Sequence, residues 1–196
     1  MKDPCERLMM LEPTARIGDW MQCASGTAFF VFDPRIDEVH IEDIAHHLSL
    51  LCRYNGAVRE FYSVGEHSVR VSHVVEKILD DRWALWGLLH DASEAYLGDM
   101  IRPLKMAMPE YREVERNVQR VICQAFGLSE IEPPVVKVAD RILLATERRD
   151  LMPPSRIPWR EDERVDPLPE RIVPMSPAMA EIAFMDRFRE LQDRRR

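Results

Sequence analysis

The chain has 196 residues, 46% of them hydrophobic and 31% charged, a balance that suits one globular domain with a substantial core and argues against a second. Its 34 acidic residues outnumber 27 basic ones, the formal net charge is -7, and no long basic stripe precedes the short tail at Arg194 to Arg196, so duplex nucleic acid is an unfavoured partner. Cys5, Cys23, Cys52 and Cys123 are scattered, make no C-x-x-C motif and follow no secretory signal or membrane-length apolar run, which predicts a reducing, cytoplasmic setting and no membrane contact.

In chain order, residues 1–40 read as an N-terminal arm. Within it GTAFFVFDP, residues 26–34, is short, aromatic and β-branched enough for a strand or one arm of a hairpin. From residue 41 the pattern turns helical, with Ile41, Ile44, Ala45, Leu48 and Leu51 on one stripe. Ser63-Val64-Gly65-Glu66 has the form of a capping box, and it opens a helix whose stripe of Val71, Val74 and Ile78 takes in His67. A further helix is predicted from about Trp83 to Leu97, ending at Gly98 and carrying His90, Asp91 and Glu94 within one turn of each other. Val114, Val118, Val121, Ile122 and Ala125 make the next stripe; Pro133-Pro134 then opens a helix in which Asp140 lies between Val136 and Leu143. Residues 41–152 are thus the expected core. Residues 153–196 add a loop, with seven of the fourteen prolines between 153 and 177, and a last amphipathic helix from Ser176-Pro177 through Leu191. The fold class is all-α, a helical bundle with a short N-terminal arm.

Three of these helices place an ionisable residue on a face that should be buried. An unpaired buried carboxylate costs on the order of several kcal/mol, a large share of the ~5–15 kcal/mol that keeps a domain folded. A divalent metal held by His67, His90, Asp91 and Asp140 would offset that, with coordination positions left for water and substrate. Two nitrogens and two oxygens suit Mn, Co, Ni, Fe or Zn better than Ca. Taken singly, each residue reads more simply as a hydrogen-bonded core histidine or an Asp paired with an Arg; only the joint pattern points to a metal. His46, His47 and His73 fall off the relevant stripes and read as structural, and Trp83 and Trp86 read as core.

The segments YSVGEHSVRVS, HDASEAYLGDMIRPLK and VKVAD, in that order, resemble the H…HD…D pattern of the HD-domain phosphohydrolase superfamily, with His67, His90-Asp91 and Asp140 in the signature positions. The likeness spans roughly residues 41 to 150 and is similar to bacterial 5′-deoxynucleotidases and to phage HD-domain deoxynucleoside triphosphohydrolases. It implies an HD-domain helical bundle, Glu94 as the catalytic acid/base carboxylate, Asp99 as a further catalytic or substrate-orienting group, and Arg53-Tyr54 as the arginine–aromatic pair beside the substrate. Relatives of this kind commonly form dimers or larger rings. Where the phage-type relatives tend to read N-G-H, this chain reads Asn55-Gly56-Ala57, a departure that bears on specificity.

The chemistry agrees with that expectation. A phosphate ester resists hydrolysis because water is a weak nucleophile and anionic oxygens repel it, so a site needs a cation that neutralises charge and lowers the pKa of bound water. Glu94 follows His90 and Asp91 by four and three residues and is placed to handle protons without being a ligand, its alternative role being a helix ion pair. Lys105 and Arg53 are candidates to clamp the phosphate. Three classes stay open: a 5′-deoxynucleotidase or triphosphohydrolase acting at the α-phosphorus, a non-catalytic nucleotide-binding module, and a helical interaction protein. The Pro-rich segment and the Met-rich, aromatic last helix offer apolar surface that predicts a homo-oligomer.

Overall fold

A short antiparallel hairpin precedes the helices: β1 (Met21–Gln22) pairs with β2 (Ala28–Phe29), Met21 opposite Phe29. Phe29 is buried and stacks on Tyr96 with ring centroids 3.8 Å apart, so the hairpin is pinned to the helical body by an aromatic pair. This is a computed structural model, and it describes residues 16–78, 81–157, 159 and 165–195. Expectations for Cys5 and the rest of residues 1–15, for Pro158 and for Arg196 lie outside the described residues. Cys23, Cys52 and Cys123 are free thiols.

Eight α-helices follow among the described residues: α1 (Ile41–Leu50), α2 (Val64–Ile78), α3 (Ala84–Leu88), α4 (Glu94–Leu97), α5 (Arg102–Ala107), α6 (Pro109–Ala125), α7 (Pro134–Leu151) and α8 (Pro177–Asp193). The all-α class is therefore what the chain adopts. Helix α2 runs through the middle, with α1, α3, α7 and α8 packed around it. Its start is held by the Ser63 hydroxyl, which accepts from the Glu66 N–H at 3.0 Å. Only that half of the capping box forms: the fully buried Glu66 carboxylate instead accepts from the Arg70 guanidinium and, at 2.7 Å, from the Met175 N–H on the strap leading into α8. The starts of α7 and α8 agree with the proline signals, and the Ser176 hydroxyl caps α8.

The long helix expected from Trp83 to Leu97 is interrupted. Gln119 of α6 inserts its amide into the ladder, donating to the Leu89 carbonyl at 2.8 Å and accepting from the Ser93 N–H at 3.1 Å. In a continuous helix that carbonyl and that N–H would bond each other. The chain turns through residues 89–93 and resumes as the one-turn α4, which ends at Gly98 with φ +80. No described helix is long and apolar enough to cross a membrane.

Candidate functional site

On a regular helix adjacent residues diverge by about 100°, so His90 and Asp91 would face different ways. The break after Leu88 removes that constraint: His90 Nε2 and Asp91 Oδ2 come within 3.2 Å of each other. His67, fully buried on α2, brings its Nε2 to 3.3 Å from His90 Nε2, 3.3 Å from Asp140 Oδ1 on α7 and 3.7 Å from Asp91 Oδ2. Three separate elements therefore converge on one point.

Both imidazoles are oriented from behind. His67 Nδ1–H donates to Glu147 Oε1 at 2.6 Å, and His90 Nδ1–H donates to the Gly87 carbonyl at 2.8 Å. Each ring then turns its Nε2 toward the same point, the two nitrogens 3.3 Å apart, so that as neutral imidazoles both would offer a lone pair to a cation there. His67, His90 and Asp140 each offer a ligand atom, all within 4.8 Å of one another, so this group could hold a metal ion. The local field favours positive charge. Burial and Arg53 act to keep His67 neutral, but Glu147 and Asp140 outweigh them and push its pKa up to about 9. Burial opposes ionising Asp91 and Asp140, yet the histidines hold both carboxyls below the usual range, with Arg53 adding to the effect on Asp91. The pull that draws a proton onto the histidines draws a divalent cation equally.

The remaining candidates surround this point in unequal ways. Glu94 opens α4, is buried, and its Oε2 has no hydrogen-bond partner among the described residues. Burial first, then the charges of Asp91 and Asp99, raises its pKa well above the usual carboxylate range, against the opposing pull of Arg53 and Lys105. Arg53 is buried and committed, donating from Nη1 to Asp91 Oδ2 at 3.3 Å, with Nε 3.4 Å from Glu147 Oε2 and its guanidinium over the Tyr54 ring. Asp99 accepts from the Tyr54 N–H at 3.2 Å. It thereby holds a left-handed turn in which Tyr54 and Asn55 have φ of +57 and +52, values that disfavour side chains with a Cβ. Lys105 is ion-paired with Glu115 of α6.

Sequence reasoning passed over Glu147, which lies seven residues after Asp140 on the same face of α7. That i, i+7 spacing was the available signal. His47 ties α1 to its neighbours, donating to the Ala95 carbonyl at 2.8 Å and accepting from the Ala24 N–H at 3.1 Å, while His46 faces Glu181. Beyond Tyr54 a cleft of about 530 Å³ is walled by Ala57, Ala145, Arg148, Met152, Pro153 and Trp159 among others. Tyr54 stands edge-on to Trp159, whose ring also carries the Arg148 guanidinium at 4.6 Å.

No family model matches the chain. It is 38% identical over 174 residues to the uncharacterized protein YfdR of Escherichia coli (strain K12), covering 88% of this chain and 95% of that protein. It is also 37% identical over 126 residues to an uncharacterized protein of Rhodobacter capsulatus, covering 61% of this chain and 64% of that one.

Proposed function

We propose that this chain, which belongs to the family of YfdR, is an HD-domain, metal-dependent phosphohydrolase that cleaves the 5′ phosphoester of deoxynucleotides at the α-phosphorus. The observation that carries the reading is the convergence of two pre-oriented imidazoles with Asp91 and Asp140 beside a buried Glu94 whose Oε2 has no hydrogen-bond partner among the described residues. His67, His90 and Asp140, joined by Asp91 as fourth ligand, would hold Mn, Co, Ni, Fe or Zn, a choice that follows from mixed nitrogen and oxygen donors. Such a cation supplies charge neutralisation on the phosphate and acidifies water. Hydrolysis adds water to phosphorus and breaks the P–O5′ bond, so the departing oxygen needs a proton, and Glu94, whose surroundings favour the protonated carboxyl, is the group suited to give it. The cleft beyond Tyr54 falls in the volume range of small-molecule sites and has the aromatic and apolar walls that suit a nucleoside.

Monophosphates fit better than triphosphates as substrates. Arg53 is engaged by Asp91 and Glu147, and Lys105 by Glu115, so neither cation is free to hold a β- or γ-phosphate. The test is metal analysis together with a screen of deoxynucleoside mono- and triphosphates, scored for phosphate and tripolyphosphate. The parent should hold about one transition metal per chain and release phosphate from monophosphates, and Asp140→Ala should lose metal and activity together. Tripolyphosphate as the main product would favour the triphosphohydrolase reading. Unchanged metal content in Asp140→Ala would overturn the ligand assignment.

A further inference from the structure

Glu147 lies outside the four proposed ligands and the acid/base group, yet its carboxylate is fully buried and has four side-chain partners. Its Oε1 accepts from His67 Nδ1–H at 2.6 Å and from the Tyr62 hydroxyl at 2.9 Å. Its Oε2 accepts from the Tyr54 hydroxyl and lies 3.4 Å from Arg53 Nε. One side chain of α7 therefore grips α2 through His67 and the left-handed 53–56 turn through both Arg53 and Tyr54. Stability alone does not account for it: a buried ionic cluster is commonly no better for folding than well-packed apolar side chains of similar volume.

We propose that Glu147 is a positioning residue for the metal group, fixing the His67 imidazole in the tautomer that leaves Nε2 free and, through its other oxygen, setting the Arg53-Tyr54 turn against Asp91. The inference rests on the metal reading above. With Nδ1–H consumed by Glu147, the only His67 nitrogen able to meet a cation is the one facing His90 and Asp140. Without Glu147, Nδ1 and Nε2 compete for the proton and the ring is free to turn. Arg53, which touches both Glu147 and Asp91, makes the same carboxylate bear on two of the four ligands at once.

The experiment measures Zn²⁺ affinity by chelator competition in the parent, Glu147→Gln and Tyr62→Phe, with ¹H–¹⁵N correlation spectra of the zinc-loaded imidazoles. The parent should show a proton on His67 Nδ1. Glu147→Gln keeps the side-chain volume but removes the charge and one acceptor, and its Zn²⁺ affinity should fall about 10- to 100-fold. Tyr62→Phe removes a hydrogen bond from the same carboxylate without touching His67, so it should melt earlier while its zinc affinity stays within about two-fold of the parent. Equal loss of affinity in both variants would reduce Glu147 to a structural anchor and overturn the proposal, as would full affinity in Glu147→Gln. If Glu147→Gln does not fold, the parent spectrum decides: a His67 proton on Nε2, with zinc bound through Nδ1, also overturns it. A parent that binds no zinc sinks the metal reading itself and this inference with it, whereas parent binding with an unaffected Glu147→Gln removes only the inference.

Discussion

Glu94 and Glu147 are both buried glutamates within reach of Arg53, and their surroundings drive them in opposite directions. For Glu94, burial comes first and the charges of Asp91 and Asp99 add to it, so its pKa rises. Burial acts the same way on Glu147, but Arg53 and His67 outweigh it and its pKa is pushed down to about 2. Two carboxyls pushed in opposite directions divide the labour of a site, one suited to give a proton and the other to hold an imidazolium or a cation's ligand in place. Glu94→Gln keeps volume and hydrogen-bonding reach while removing the exchangeable carboxyl proton. Metal content and nucleotide binding should survive in that variant while turnover falls about 10²- to 10⁴-fold. Turnover within a few-fold of the parent would remove Glu94 from proton transfer.

Between elements, backbone proximity matters as much as side-chain pattern. A Cβ added at Gly65, on the first turn of α2, would sit 3.1 Å from the Ser49 nitrogen and 3.3 Å from the Leu48 carbonyl carbon, both backbone atoms of α1. These cannot swing aside as a side-chain tip can, so α1 and α2 would have to separate. Gly65→Ala should therefore destabilise the protein despite alanine's higher helix propensity, with the usual overpacking cost of about 1–3 kcal/mol opposed by about 1 kcal/mol. Because His67 is two residues further along α2, zinc affinity should weaken alongside the melting temperature. A Gly65→Ala protein as stable as the parent would mean that the two helices tolerate a wider spacing. The inserted Gln119 amide is the complementary case: there a polar side chain from α6 breaks a helix and so lets His90 and Asp91 aim at one point.

Across the whole molecule, α8 is held to the central helix by charge as well as by Phe184 and Leu191. Arg187 is buried and donates to the Ser72 hydroxyl at 3.0 Å, to Glu76 at 3.0 Å and to Glu190 at 2.8 Å, and Arg194 reaches the same two glutamates. Burial opposes ionisation of Glu76, but Arg194 and Arg187 overcome it and hold its pKa below the ordinary value; Arg187 does the same to Glu190. A carboxyl with a depressed folded pKa contributes stability that is fully present above its unfolded value, about 4.3 for Glu, and lost as pH falls through the folded value. Glu76→Gln should accordingly melt below the parent at pH 7, and the gap should close as pH drops below about 4. A gap that stays constant from pH 7 to pH 3 would show that the tether is not ionic.

How much of this was legible in the chain follows from the range over which each signal acts. The helix-forming stripes, the proline starts of α7 and α8, Gly98 as a terminator and the hairpin arm depend on neighbours within a few residues, and pattern alone determined them. The grouping of His67, His90 and Asp140 was readable in part, since His67 and Asp140 lie on apolar helical stripes, whereas His90 reaches the group from the turn that follows Leu88. The roles of Glu147 and Gln119, and the commitments of Arg53 and Lys105, were decided only by tertiary structure. Each depends on a partner between 10 and 94 residues away in sequence, and which acceptor a buried donor finds at that separation is set by how the helices pack.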